Sequence, residues 1–147
     1  VLQRYERIWQ GTRPSNPFVL GVHRISDATV CASLYNSTEE MKTFFAVVKA
    51  VQDAGGVVVA HNAKFDVRFV KHTAEFLGLS TVDIAPVFCT MNSLRMRTKK
   101  ERGAKCKNSD VYQYLGGDPL GEIHTALVDA TATAYIYFHG KKAKWWP

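Results

Sequence analysis

Residues 55–70 read GGVVVAHNAKFDVRFV, and the way this stretch folds decides the architecture of the chain. Gly55-Gly56 ends whatever precedes it. Val57, Val58 and Val59 are a short β-branched run, apolar on both faces, as expected of a buried, central strand. The period then changes. Phe65, Phe69 and Phe76 share one helical stripe and Val67, Val70, Ala74 and Leu77 another, so the strand gives way to a helix that Gly78 stops. Asn62 is placed to cap that helix. His61, Asn62 and Asp66 are thus polar residues at the exit of a buried strand, where open α/β sheets hold their ligands. Taken alone, Asp66 reads as a first-turn carboxylate stabilised by the helix dipole, His61 as a cap on the strand end, and Phe65 as part of the helix's core stripe.

Upstream, Val1 to Trp9 alternates loosely and reads as a strand, and GTRPSNP is a loop. GVHRISDATV opens with a short turn or helix. Ser37-Thr38-Glu39-Glu40 starts a helix with a hydroxyl cap and acidic first turn, and Met41, Phe44, Phe45, Val48 and Val51 form its apolar face. Downstream come an extended piece at Pro86 to Cys89, a helix near Met91 to Arg97, and NSDVYQYL, a short helix capped by Asn108 or Ser109. Gly116 to Pro119 is a turn. The last helix runs from about Thr125 to Phe138, rich enough in alanine to approach a sheet closely. This order implies an α/β domain, with helices flanking a mixed central sheet.

The 147 residues suffice for one domain, and 46% hydrophobic content argues against disorder. No apolar run reaches the ~18 residues of a membrane span, and no secretory leader pattern is present. Cys31, Cys89 and Cys106 are odd in number and lack C-x-x-C spacing, which argues against a disulfide framework or a zinc site and fits a reducing compartment. The expectation is a cytoplasmic, nucleoid or nuclear protein that is not secreted and meets no membrane. The net charge of +6 favours a polyanionic partner. Arg95, Arg97, Lys99, Lys100, Arg102, Lys105 and Lys107 crowd one segment, either a solvated loop or a rim that meets phosphates.

HTALVDA, residues 124–130, is a second constellation. Five residues of helix rotate by about 140°, so His124 and Asp129 cannot share a helical face. If they cooperate, His124 stands in the lead-in and Asp129 on the first or second turn. HNAKFD after a strand and HTALVDA opening an alanine-rich helix together resemble the DnaQ-like, DEDDh group of 3′–5′ exonucleases, which fold like RNase H. The resemblance runs from about Gly21 to Phe138, with GVHRISD as lead-in to a nucleotide pocket and KNSDVYQYLGGDP as the helix before the last motif. It implies Asp66 and Asp129 as ligands of a two-metal Mg²⁺ or Mn²⁺ site and His124 as general base. It implies Asn62, Phe65 and His23 around the terminal nucleotide, and a partner in the 3′ end of single-stranded DNA or RNA. A polymerase, or the remainder of a longer polypeptide, is a further implied partner.

One element of the family pattern is missing. Its first motif is a strand bearing Asp-x-Glu, and no D-x-E occurs in this chain. The expectation is an exonuclease domain at residues 1–140 whose first strands are absent, followed by a basic and aromatic tail or linker at 141–147. Such a chain would be marginally stable alone, with an open edge beside Val57 to Ala60, and weak or inactive in hydrolysis. The alternative is a catalytically inactive nucleic-acid-binding module of the same fold.

Overall fold

The computed structural model describes residues 6–11, 16–97, 106–119 and 125–147, apart from the side chains at 19, 22, 23 and 97. Its elements are α1 (Pro17–His23), α2 (Asp27–Cys31), α3 (Ser37–Asp53), β1 (Val58–Ala60), α4 (Ala63–Phe76), β2 (Val87–Cys89), α5 (Thr90–Arg97), α6 (Asn108–Tyr114) and α7 (Ala126–Lys142). They divide into two units, Val1–Gly56 with Val70–Asp83, and Val57–Phe69 with Ile84–Pro147.

In the first unit each helix starts on a side-chain cap. Asn16 accepts from the Phe18 amide, Ser26 from that of Thr29, and Asn36 from those of Thr38 and Glu39. The cap of α3 is therefore Asn36, one residue before the expected hydroxyl, and Glu39 and Glu40 lie in the first turn. Met41, Phe45 and Val48 are its buried residues, and Met41 and Phe45 form a core with Ala74. Both α3 and the end of α4 stop in the same way. The residue after the cap is a glycine with positive φ, Gly55 or Gly78, a conformation in which a Cβ would be strained. The next amide returns to the third carbonyl from the helix end, Gly56 to Val51 at 2.8 Å and Leu79 to Ala74 at 2.9 Å. The strand expected over Val1 to Trp9 lies partly outside the described residues, and within them Trp9 makes a single parallel bridge to Tyr35.

In the second unit β1 and β2 pair in parallel, Val58 opposite Val87, Val59 opposite Phe88 and Ala60 opposite Cys89. Among the described residues the sheet is these two strands. These two run parallel because the connection from β1 to β2 passes through α4, which brings the chain back to start the second strand from the same end. Helix α7 packs on β1, α5 and α6. Leu94, Tyr112, Ala132, Ile136 and Trp146 form the core, with the Tyr112 and Tyr135 rings edge to face at 4.9 Å.

Residues 141–147 contribute to this core. Trp146 is 7% exposed, lies 5.2 Å from the Phe88 ring centroid, and donates its indole N–H to the Tyr137 carbonyl at 3.2 Å. The turn that brings it back closes on the Trp145 amide, which donates to the Gly140 carbonyl at 2.8 Å. Gly140 has no side chain because the Trp146 indole occupies that space. Gly140→Ala is expected to destabilise the protein by about 1–3 kcal/mol through overpacking, although alanine is otherwise the better helix former. A urea unfolding curve checks this.

The phenylalanines of α4 were read as its anchor, and the structure reverses this. Ala63 and Ala74 are buried, whereas Phe65, Phe69 and Phe76 are exposed. Both stripes satisfy helical spacing. The second stripe turns inward, with Val70 and Leu77 packed beside the buried Ala74 in the first unit. No helix among the described residues is long and apolar enough to cross a membrane.

Candidate active site

The carboxyl end of β1 opens into a cleft of about 630 Å³ built wholly from the second unit. Val59, Ala60 and His61 form its floor, Asp66 on α4 one side, Lys107, Asn108 and Ser109 at the start of α6 another, and α7 the last wall. Asp66 enters because α4 begins directly after the strand, at Ala63, and places it in the first turn. Asp129 enters the same way from the first turn of α7, whose N-cap is Thr125, with the Thr125 hydroxyl accepting from the Val128 amide at 3.3 Å. The two carboxylates that the sequence separates by 63 positions (129 − 66) therefore line one cleft.

Hydrogen bonds from His61 and Asn108 fix this frame. His61 Nε2 lies 2.7 Å from the Cys106 carbonyl, which can only accept, so Nε2 carries a proton and donates it. His61 Nδ1 lies 2.9 Å from the hydroxyl of the fully buried Thr90. His61 thereby ties the strand end to the segment that leads into α6, a larger role than capping the strand. Asn108 was read as a helix cap; it is instead the first residue of α6, with Lys107 at the N-cap position. Its amide donates to the Asp129 carbonyl at 2.7 Å and to the Thr133 hydroxyl at 3.1 Å. That pins α6 to the turn of α7 that carries the carboxylate. No local pattern announced this contact, since it joins residues 21 apart.

Asn62 and Phe65 are not among the residues lining the cleft. Asn62 adopts positive φ, and its carbonyl accepts from the Phe65 amide at 2.8 Å. Phe65 lies on the outer face of α4, its ring 6.3 Å from that of Phe69. His23 ends α1 in the first unit. His124 lies outside the described residues, one position before the α7 cap, as does the run 98–105 that holds most of the basic segment. Lys107 from that segment lines the cleft.

The Asp66 carboxyl is held above its ordinary pKa, chiefly because the cleft walls desolvate the charge; its own backbone amide and nearby His61 act in the opposite direction. Asp66 keeps its proton more readily folded than unfolded. Stability therefore falls as pH rises from the ordinary aspartate value, about 3.9, through the raised one, and the full cost persists above it. Asp66→Asn has no such cost. The variant is expected to be more stable than the parent at pH 7 and to lose that advantage below about pH 3.9. Urea midpoints at the two pH values check the sign.

The donor set suits a hard divalent cation. It offers two carboxylates, with the Thr133 hydroxyl and the unpartnered, buried side-chain oxygen of Asn108 in the same cleft, and all are oxygens. One or two carboxylates completed by water and phosphate is the usual Mg²⁺ arrangement. Among the described residues no group of three or more His, Cys, Asp or Glu side chains is positioned to hold a metal.

A family model described as exonuclease, that of RNase T, matches residues 3–137. Among solved structures, Exonuclease X in complex with 5′ overhanging duplex DNA aligns with a TM-score of 0.67 at 24% identity, covering 95% of this chain and 73% of that one. At that identity the likeness speaks to the fold. A search of curated proteins gives no match.

Proposed function

Because the chain belongs to the RNase T exonuclease family and so to the DnaQ-like enzymes of RNase H-like fold, we propose that its cleft removes nucleotides from the 3′ end of single-stranded DNA or RNA. The observation that carries the reading is the presence of Asp66 and Asp129 in one cleft at the exit of β1. Each comes from the first turn of its helix, so two elements far apart in sequence present acid groups to the same space.

Asp66 and Asp129 would hold the divalent cation that the family generally uses. When bound, it would offset the negative charge that builds on the attacking and leaving oxygens. The remaining chemistry falls to the chain. His124 is assigned the proton of the attacking water, a role suited to an imidazole near neutral pH. Lys107 at the cleft edge offers a cation to the phosphate backbone. For the terminal nucleotide, Phe65, Asn62 and His23 stay candidates by family resemblance alone, since none of them is among the described residues that line the cleft. Val59 and Ala60 add apolar lining to the cleft.

A second reading, binding without turnover, is favoured by the lack of D-x-E in the chain. One assay separates the two. A 5′-labelled single strand incubated with the protein and Mg²⁺ or Mn²⁺ is expected to yield a ladder of products shortened one nucleotide at a time. A strand labelled at its 3′ end should release labelled mononucleotide at once. Retention of the strand on the protein without shortening would favour the second reading. Internal cuts would defeat both.

A further inference from the structure

We infer that the outer face of α4 carries single-stranded DNA away from the cleft, with Phe69 as a stacking platform and Lys64 and Arg68 as phosphate contacts. The inference rests on the exonuclease reading and extends it beyond the cleft. At about 100° per residue, Phe65 and Phe69 share one stripe of the helix, and Lys64 and Arg68 form the stripe beside it. Ala63 and Val67 face the opposite way, and Ala63 is buried. Phe65 and Phe69 are 55% and 64% exposed. Their ring centroids lie 6.3 Å apart with planes inclined by 17°, so the two rings stand nearly parallel. Lys64 and Arg68 are exposed as well.

Single exposed apolar residues are ordinary on protein surfaces. A near-parallel aromatic pair flanked by cations on the same two turns is a narrower observation. It is the composition used to bind single strands without reading sequence, with bases on rings and phosphates on cations. Charge complementarity selects the occupant, because an apolar peptide or a second copy of this chain, itself at +6, makes no use of two added cations. Position is compatible: Asp66, which lines the cleft, belongs to the same first turn of α4, about 100° around the helix from Phe65. The four side chains supply ring faces and hydrogen-bond donors but no acceptor for a 2′-hydroxyl proton. Stacking on the rings and contacts to phosphate require no 2′-hydroxyl, so DNA suffices as the occupant.

The test measures fluorescence anisotropy of labelled single strands in EDTA, which allows binding without hydrolysis. Phe69→Ala should weaken binding of a twelve-nucleotide DNA by at least about fivefold, and Phe69→Trp should restore it. Arg68→Ala should reduce the dependence of log affinity on log salt by about 0.7. A competing dinucleotide, short enough to be held by the cleft alone, should bind parent and variants equally. The inference is overturned if the twelve-nucleotide strand binds both alanine variants as it binds the parent. It is equally overturned if the dinucleotide loses as much affinity as the longer strand, or if a matched RNA binds tenfold tighter than DNA. A parent protein that binds no single strand at all would instead defeat the exonuclease reading itself.

Discussion

Asp66→Ala and Asp129→Ala are each expected to slow metal-dependent trimming of a labelled strand by on the order of 10³-fold, the equivalent of about 4 kcal/mol of transition-state stabilisation. Both carboxylates line one cleft and are argued to hold one cation together. Removing either disables the pair, so the double variant should be scarcely slower than each single one, as for residues acting as a unit. Binding in EDTA should move the other way. The cleft then loses a negative charge that repels phosphate, and affinity should hold or rise. Single-turnover rates and metal-free anisotropy together check the split. Variants that lose rate and affinity in equal measure would mark Asp66 and Asp129 as parts of the scaffold instead.

Trp146→Ala is expected to cost about 3–5 kcal/mol, the usual range for removing a large buried aromatic. In a domain of this size that lowers the melting temperature by roughly 10 °C. The indole is lost from contact with the Phe88 and Tyr137 rings, and its N–H no longer donates to the Tyr137 carbonyl. Trp145, only half-buried, should matter less. The pair with Gly140 gives a sharper check. With the indole gone, the space above Gly140 opens, and alanine there should gain about 1 kcal/mol from helix propensity. Gly140→Ala should therefore destabilise the parent and stabilise Trp146→Ala, a reversal of sign that calorimetry on the four proteins can read.

Much of this was legible in the residues. The β-branched run before HNAKFD and the alanine-rich helix that HTALVDA opens set a strand exit and a helix start, and both acids fell on first turns. These are local features, and short-range periodicity with capping chemistry fixes them. What escaped was long-range or depended on a choice between two valid stripes. The α4 wheel offered a phenylalanine face and a face of Val67, Val70, Ala74 and Leu77, and only tertiary packing could choose between them. Asn108 looked like a cap because its partners on α7 lie 21 and 25 positions away. KKAKWWP looked like a tail by composition, although Trp146 returns to fill the space above a glycine six residues earlier.

The wall contributed by α7 has one more consequence. Ala126, Ala130 and Ala134 recur at four-residue intervals along the cleft, and each presents a single methyl group. Methyl groups neither donate to nor accept from the edges of a nucleobase. At those three positions the wall can measure the thickness of what enters but not its polar edges, so any polar reading from α7 falls to Asp129 and Thr133, and Ala130 is the natural place to engineer a further one.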